Sequence, residues 1–129
     1  MPSSASPEEI TNVLDRFMDV YGVRAILLAT RDGLLIHGRS SAGDDLEALA
    51  ALGNHALQSA ARLLEVAEVT GPRGLMLETP RETFVLRQLS ADGLVLIRTT
   101  DQANLTYLQF LLGRLSEWMG EAISPHNQA

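Results

Sequence analysis

Residues 44–66 read DDLEALAALGNHALQSAARLLEV, and this run decides the fold because it has two buriable faces where a lone subunit needs only one. At about 100° per residue, Leu46, Leu49, Ala50, Gly53, Leu57, Ala60, Ala61 and Leu64 fall on one side. Ala48, Ala51, Leu52, His55, Ser59, Arg62 and Val66 fall on the other and are mostly small or weakly polar. The first face is broad enough to lie on a sheet. The second is a smooth strip on which another helix packs closely. The run therefore predicts a sheet-covering helix that also forms a subunit or partner interface, in a protein that works by binding.

Upstream, Ser6-Pro7-Glu8-Glu9 is a helix start, with Ser6 as cap, Pro7 at the first helical position and Glu9 completing a capping box. Ile10, Val13, Leu14, Phe17 and Tyr21 follow on one stripe, and Gly22 ends the helix. Val23 to Thr30 crowds apolar residues without helical spacing. Arg31-Asp32-Gly33 then gives a hairpin turn into a second strand, Leu34 to Ser40. Asp44-Asp45 supplies negative charge at the start of the long helix. Downstream come three strand-like runs, Gly74 to Glu78, Thr83 to Ser90 and Leu94 to Thr100. Whether the first of them starts as early as Glu68 is open, because Gly71-Pro72-Arg73-Gly74 interrupts it. The last element, Asn104 to Ile123, is an amphipathic helix with its arc on Leu105, Leu108, Leu111, Leu112, Leu115, Trp118, Met119 and Ile123, capped by Asp101 or Asn104. The order is helix, hairpin, helix, three-stranded meander, helix. Short hairpin connections imply a five-stranded antiparallel sheet packed with helices, an α+β sandwich forming one domain over residues 1–129 with loose ends at 1–6 and 124–129.

Composition narrows the function. The 129 residues are 46% hydrophobic but only 5% aromatic, so the core rests on aliphatic side chains. A net charge of −6 argues against nucleic acid and anionic lipid as partners. All ten basic residues are Arg, which reads as codon usage in a GC-rich genome. The absence of Cys excludes disulfides, thiolate metal sites and Cys nucleophiles. No secretion signal precedes the first helix, and no apolar run approaches the ~20 residues of a membrane span. A soluble cytoplasmic protein, not inserted in a membrane, is expected.

No constellation for catalysis, metal or cofactor emerges. His37, His55 and His126 are scattered without ligand spacing. Glu8-Glu9 and Asp44-Asp45 both sit at helix starts, where offsetting the helix dipole accounts for them. Ser40-Ser41 lacks the Gly-x-Ser-x-Gly elbow. Gly71-Pro72-Arg73-Gly74 lacks the Lys-Ser/Thr ending of a phosphate loop. Arg31, Arg39, Arg73 and Arg81 flank loops within reach of a partner, but none singles itself out as an inserted arginine. Phe110 stands outside the apolar arc of the last helix near Arg114 and Glu117, as a partner anchor would.

The element order and several local patterns resemble the Roadblock/dynein light chain family, including its bacterial MglB-type members. The residues that carry the resemblance are Gly22-Val23-Arg24-Ala25, Arg31-Asp32-Gly33-Leu34, the helix Leu46 to Leu64, the strand and turn Leu86 to Gly93, and Asn104-Leu105. Together they cover about residues 8 to 122, nearly the whole chain. The resemblance implies a profilin-like sandwich that pairs through its central helices, with the sheets extending across the interface, as a homodimer or a heterodimer with a homologue. It further implies a non-enzymatic regulator or scaffold of a Ras-like small GTPase. In such a dimer Ala48, Ala51, Leu52, His55 and Ser59 form the interface, and Asn54, Gln58 and Arg62 flank it as the partner-binding positions, with Phe110 as a further anchor. Two other readings compete: a small-ligand sensor, because helix-backed sheets enclose pockets, and a heterodimeric adaptor subunit.

Overall fold

The structure, a computed structural model, describes residues 6–71, 73–90 and 93–123. Of the expected loose ends at 1–6 and 124–129, all but Ser6 lie outside the described residues, as do His126, Pro72, the Ala91-Asp92 step and the side chains of Met119 and Ile123.

Eight elements follow in the expected order: α1 (Pro7–Met18), β1 (Val23–Thr30), β2 (Leu35–Ser40), α2 (Leu46–Val66), β3 (Gly74–Glu78), β4 (Glu82–Ser90), β5 (Gly93–Thr100) and α3 (Leu105–Ile123). The strands form one antiparallel sheet in the order β2-β1-β5-β4-β3. β1 and β5 sit centrally and are buried on both faces, which explains their unbroken apolar runs. Alternate side chains of each strand then serve different layers. Ile26, Leu28, Val85, Val95 and Ile97 join α1 and α3 in one core. Leu27, Ala29, Leu86, Leu94 and Leu96 meet α2 in another. The sheet is thus sandwiched, with α1 and α3 on one side and α2 on the other.

Local chemistry sets the ends. At α1, Glu9 N–H donates to Ser6 Oγ at 3.2 Å and Ser6 N–H donates to the Glu9 carboxylate at 3.0 Å. Hydrogen bonding from Ser6, its backbone N–H first and its side chain second, holds the Glu9 carboxyl below its ordinary range. α1 stops at Met18, a turn before Gly22, so Tyr21 is not on its buried stripe. Tyr21 is 74% exposed and donates its hydroxyl to Gln102 at 2.8 Å. At the first hairpin Gly33 takes the positive φ that the Asp-Gly step requires. Leu34 belongs to the turn instead of β2, because its N–H donates to Thr30 Oγ1 and its carbonyl accepts from Thr30 N–H. Asn104, not Asp101, caps α3, accepting from Tyr107 N–H at 3.0 Å.

The C-terminus of α2 settles the start of β3. Val69 N–H reaches Leu64 O and Glu68 N–H reaches Glu65 O, closing the helix, while Glu68 itself sits at φ 61°. β3 therefore begins at Gly74, and residue 68 occupies the left-handed position usually held by Gly. Glu68→Gly is expected to stabilise the fold by about 0.5–1 kcal/mol, seen as a higher midpoint in urea unfolding.

Gly53 lets α2 approach the sheet closely. A Cβ there would lie 3.1 Å from Leu96 Cδ1 and 3.2 Å from Leu86 Cδ2. Gly53→Val adds two branches into that contact and is expected to cost about 1–3 kcal/mol, measurable in the same urea titration.

Candidate docking surface

The inner face of α2 is where its periodicity put it. Ala50 and Gly53 are buried, and Leu46, Leu49, Leu57, Ala60, Ala61 and Leu64 are half-buried against the sheet. The second face stands free in the single chain: Ala48, Ala51, Leu52, His55, Ser59, Arg62 and Val66 are all exposed. Leu52 is 65% and Val66 88% exposed, and Leu63, which sequence reading placed on neither face, is 70% exposed. Leu52 neighbours Leu49 and Ala56 at helical spacing, and Leu63 lies on the same side two turns beyond Ala56. Leu49 and Ala56 pack in the same cluster as Leu75 of β3 and Phe84 of β4. The apolar strip therefore leans toward β3.

β3 is one of the two sheet edges, and the edges differ. On β2, Arg39 is tied to Asp15 of α1 at 3.0 Å, and charge of this kind blunts an edge. On β3, Met76 and Leu77 are exposed side by side, where β2 exposes Ile36 along with its tied Arg39. Leu77 pairs with Phe84 and so shares the α2 face of the sheet. Helix strip and open strand edge together make one apolar surface.

The remaining expected positions separate. Asn54 and Gln58 are brought together on the other flank of α2, in an open groove of about 220 Å³ shared with Arg31, Leu57, Gly93 and Leu94. Arg62 is exposed one turn further along, outside that groove. Phe110 is exposed on α3, with the Arg114 guanidinium 6.0 Å from its ring centroid. Since α3 covers the opposite side of the sheet, Phe110 does not join Asn54, Gln58 and Arg62.

Sequence reading missed the polar clasp that anchors α2. Of the two acids at its start, only Asp45 caps the helix, accepting from Ala48 N–H at 3.1 Å. The Asp44 carboxylate instead accepts from Arg98 Nη1 at 2.8 Å and from Ser40 Oγ at 2.7 Å. Arg98 also grips Glu82 through both Nε and Nη2, the latter at 2.9 Å, and lies over Phe84. The hydrogen bond from Arg98 holds the Glu82 carboxyl below its ordinary range. Bonding to Glu82 raises the Arg98 pKa in turn. The clasp is largely shielded from water and fully paired, so it anchors the start of α2 to β4 and β5.

Among the described residues no cluster of three His, Asp or Glu is placed to hold a metal ion, and no helix is long and apolar enough to cross a membrane.

The sequence model of the Roadblock/LC7 domain matches residues 9–99. No curated protein sequence matches the chain. Among solved structures, Myxococcus xanthus MglB superposes with a TM-score of 0.81 at 13% identity, covering 97% of this chain and 100% of that one. The gliding protein MglB of Thermus thermophilus gives 0.79 at 18% identity, covering 100% and 99%. An MglB with a tetrameric arrangement gives 0.82 at 17% identity, covering 95% and 96%. At these identities the likeness is one of fold.

Proposed function

The chain belongs to the Roadblock/LC7 family, and on that footing we propose that it is a homodimeric, non-catalytic regulator or scaffold of a Ras-like small GTPase in the bacterial cytoplasm. The observation that carries the dimer is the apolar surface formed by the outer face of α2 and the open edge of β3. Antiparallel pairing of two α2 helices about a two-fold axis buries Ala48, Ala51, Leu52, His55 and Ser59 against their mates. Small residues on that strip allow the helix axes to approach closely. Pairing of the two β3 edges in the same assembly covers Leu77 and joins the sheets. The family resemblance and the absence of any catalytic constellation in the sequence support a GTPase platform.

Asn54, Gln58 and Arg62 flank the pairing strip and remain accessible beside it, which makes them the GTPase-facing positions. Arg62→Glu is expected to leave the dimer mass unchanged and to weaken capture of the GTPase. Pull-down with GTPases loaded with GDP or a GTP analogue, run beside light scattering, checks both halves. Retention of full binding by the variant would remove Arg62 from the site.

A small-ligand sensor is the competing reading. Ligand binding stabilises a protein by mass action, so a thermal-shift screen that produced a saturable rise in Tm would favour it over the platform.

A further inference from the structure

The protein has six aromatic residues, Phe17, Tyr21, Phe84, Tyr107, Phe110 and Trp118; Tyr107 and Phe110 lie on α3 outside the seam between α1 and α3, and Phe17 and Trp118 line that seam. An open groove of about 280 Å³ runs there, with Phe17, Leu111, Leu115 and Trp118 among its walls and Arg16 and Arg114 on its rim. Phe17 and Leu115 are buried, Leu111 and Trp118 are half-buried, and both arginines are exposed. Tyr107 and Phe110 stand beside it on the outer face of α3, 47% and 58% exposed. Aromatic residues and Arg are the side chains most enriched where proteins dock. Here they concentrate on a surface the dimer does not use, since α1 and α3 lie across the sheet from α2.

We propose that this groove is a second docking surface, taking an acidic amphipathic helix from a partner protein. Two features specify the occupant. Leu111 to Trp118 spans eight residues of α3, seven steps or about 10 Å at 1.5 Å per residue, which fits two turns of a helix bearing apolar anchors at i, i+3 or i+4, and i+7. Arg16 and Arg114 are in no ion pair recorded among the described residues, and no carboxylate lines the groove. On a chain of net charge −6, this is a locally basic rim that selects for Glu or Asp flanking those anchors. A second copy of the chain fits poorly, because a two-fold contact faces a patch with itself and would gather the arginines of both copies in one seam. Residues 124–129, SPHNQA, bring no Leu, Ile, Val, Met or Phe to fill it. The surface stands apart from α2, so its occupation and the dimer are separable.

Trp118 is the sole tryptophan and lines the groove, so its fluorescence reports occupancy directly. The probe is a synthetic helical peptide with Leu at i, i+3 and i+7 flanked by Glu, alongside a counterpart with Lys in place of Glu. A saturable blue shift of Trp118 emission is expected with the Glu peptide, and at least about tenfold weaker binding with the Lys peptide. The double variant Arg16→Glu, Arg114→Glu should invert that order, and Phe110→Ala should weaken the Glu peptide without changing the dimer mass. An equal response to both peptides, no saturable response, or an unchanged response in the double variant would overturn the proposal. So would a fall in assembly mass in Phe110→Glu, which would make the groove a contact between copies.

Discussion

Leu52→Glu is expected to reduce the mass of the protein in solution to the 14.0 kDa of one chain. Leu52 is 65% exposed in the single subunit, so the substitution leaves the monomer fold nearly untouched. In the proposed pairing the same position is buried on both sides of a two-fold axis, and every change is made twice. Each side loses about 2 kcal/mol of apolar burial, and a carboxylate is taken out of water without a partner, at a cost of several kcal/mol more. The two new charges also face one another. That total matches or exceeds the free energy holding a micromolar dimer, about 8 kcal/mol. Thr106→Glu, on the exposed side of α3, is the control that keeps the wild-type mass. Light scattering on both variants, with circular dichroism to verify the fold, checks the result.

Arg98→Met carries the second large effect, this time on the subunit itself. Asp44, Glu82 and Phe84 all meet the Arg98 side chain, Ser40 braces Asp44, and the three charged side chains are between 13% and 25% exposed. Removing the guanidinium leaves two carboxylates largely shielded from water with no cation between them. Breaking a buried pair in this way costs about 3–5 kcal/mol. Residual solvent screening here reduces that to about 2–4 kcal/mol. Acid should reveal the origin of the loss. Glu82 has a folded pKa below its ordinary 4.5 because of Arg98. Its stabilisation is therefore complete above about that pH and disappears as pH falls through the folded value. The gap between wild type and variant is expected to be widest near neutrality and to narrow below pH 4.5, read from urea midpoints across the pH range.

The contrast between α2 and the clasp shows what sequence reading reaches. Both faces of α2 were legible because a 3.6-residue period sorts side chains without any knowledge of the rest of the chain. Asp44 and Asp45 were not distinguishable, since both stand at a helix start and only the distant Arg98 gives them different work. The end of α2 at Val66 was legible, but the start of β3 stayed open, because a left-handed residue after a helix is expected to be Gly and here the helix-closing bonds form around Glu68. Tyr21 fell in phase with the α1 stripe, yet α1 had already ended at Met18 and its hydroxyl found Gln102. The exposure of Phe110 was readable from its offset on α3. Its separation from Asn54 and Gln58 was not, because the layer α3 occupies depends on the strand order of the whole sheet. The α1–α3 groove is likewise a product of packing between the two ends of the chain.

A cysteine scan tests the paired-helix assembly most directly, because the chain has no Cys of its own. Single variants Leu52→Cys, His55→Cys and Ser59→Cys place a thiol along the strip, and Thr106→Cys places one on the far side. Disulfides form only when the two Cα atoms lie within about 7 Å, a spacing that two close antiparallel helices reach near their axis of symmetry. Under mild oxidation at least one strip variant should run at twice the 14.0 kDa of one chain, while Thr106→Cys stays single. Cross-linking confined to Thr106→Cys, or found at no position along α2, would contradict pairing through this helix.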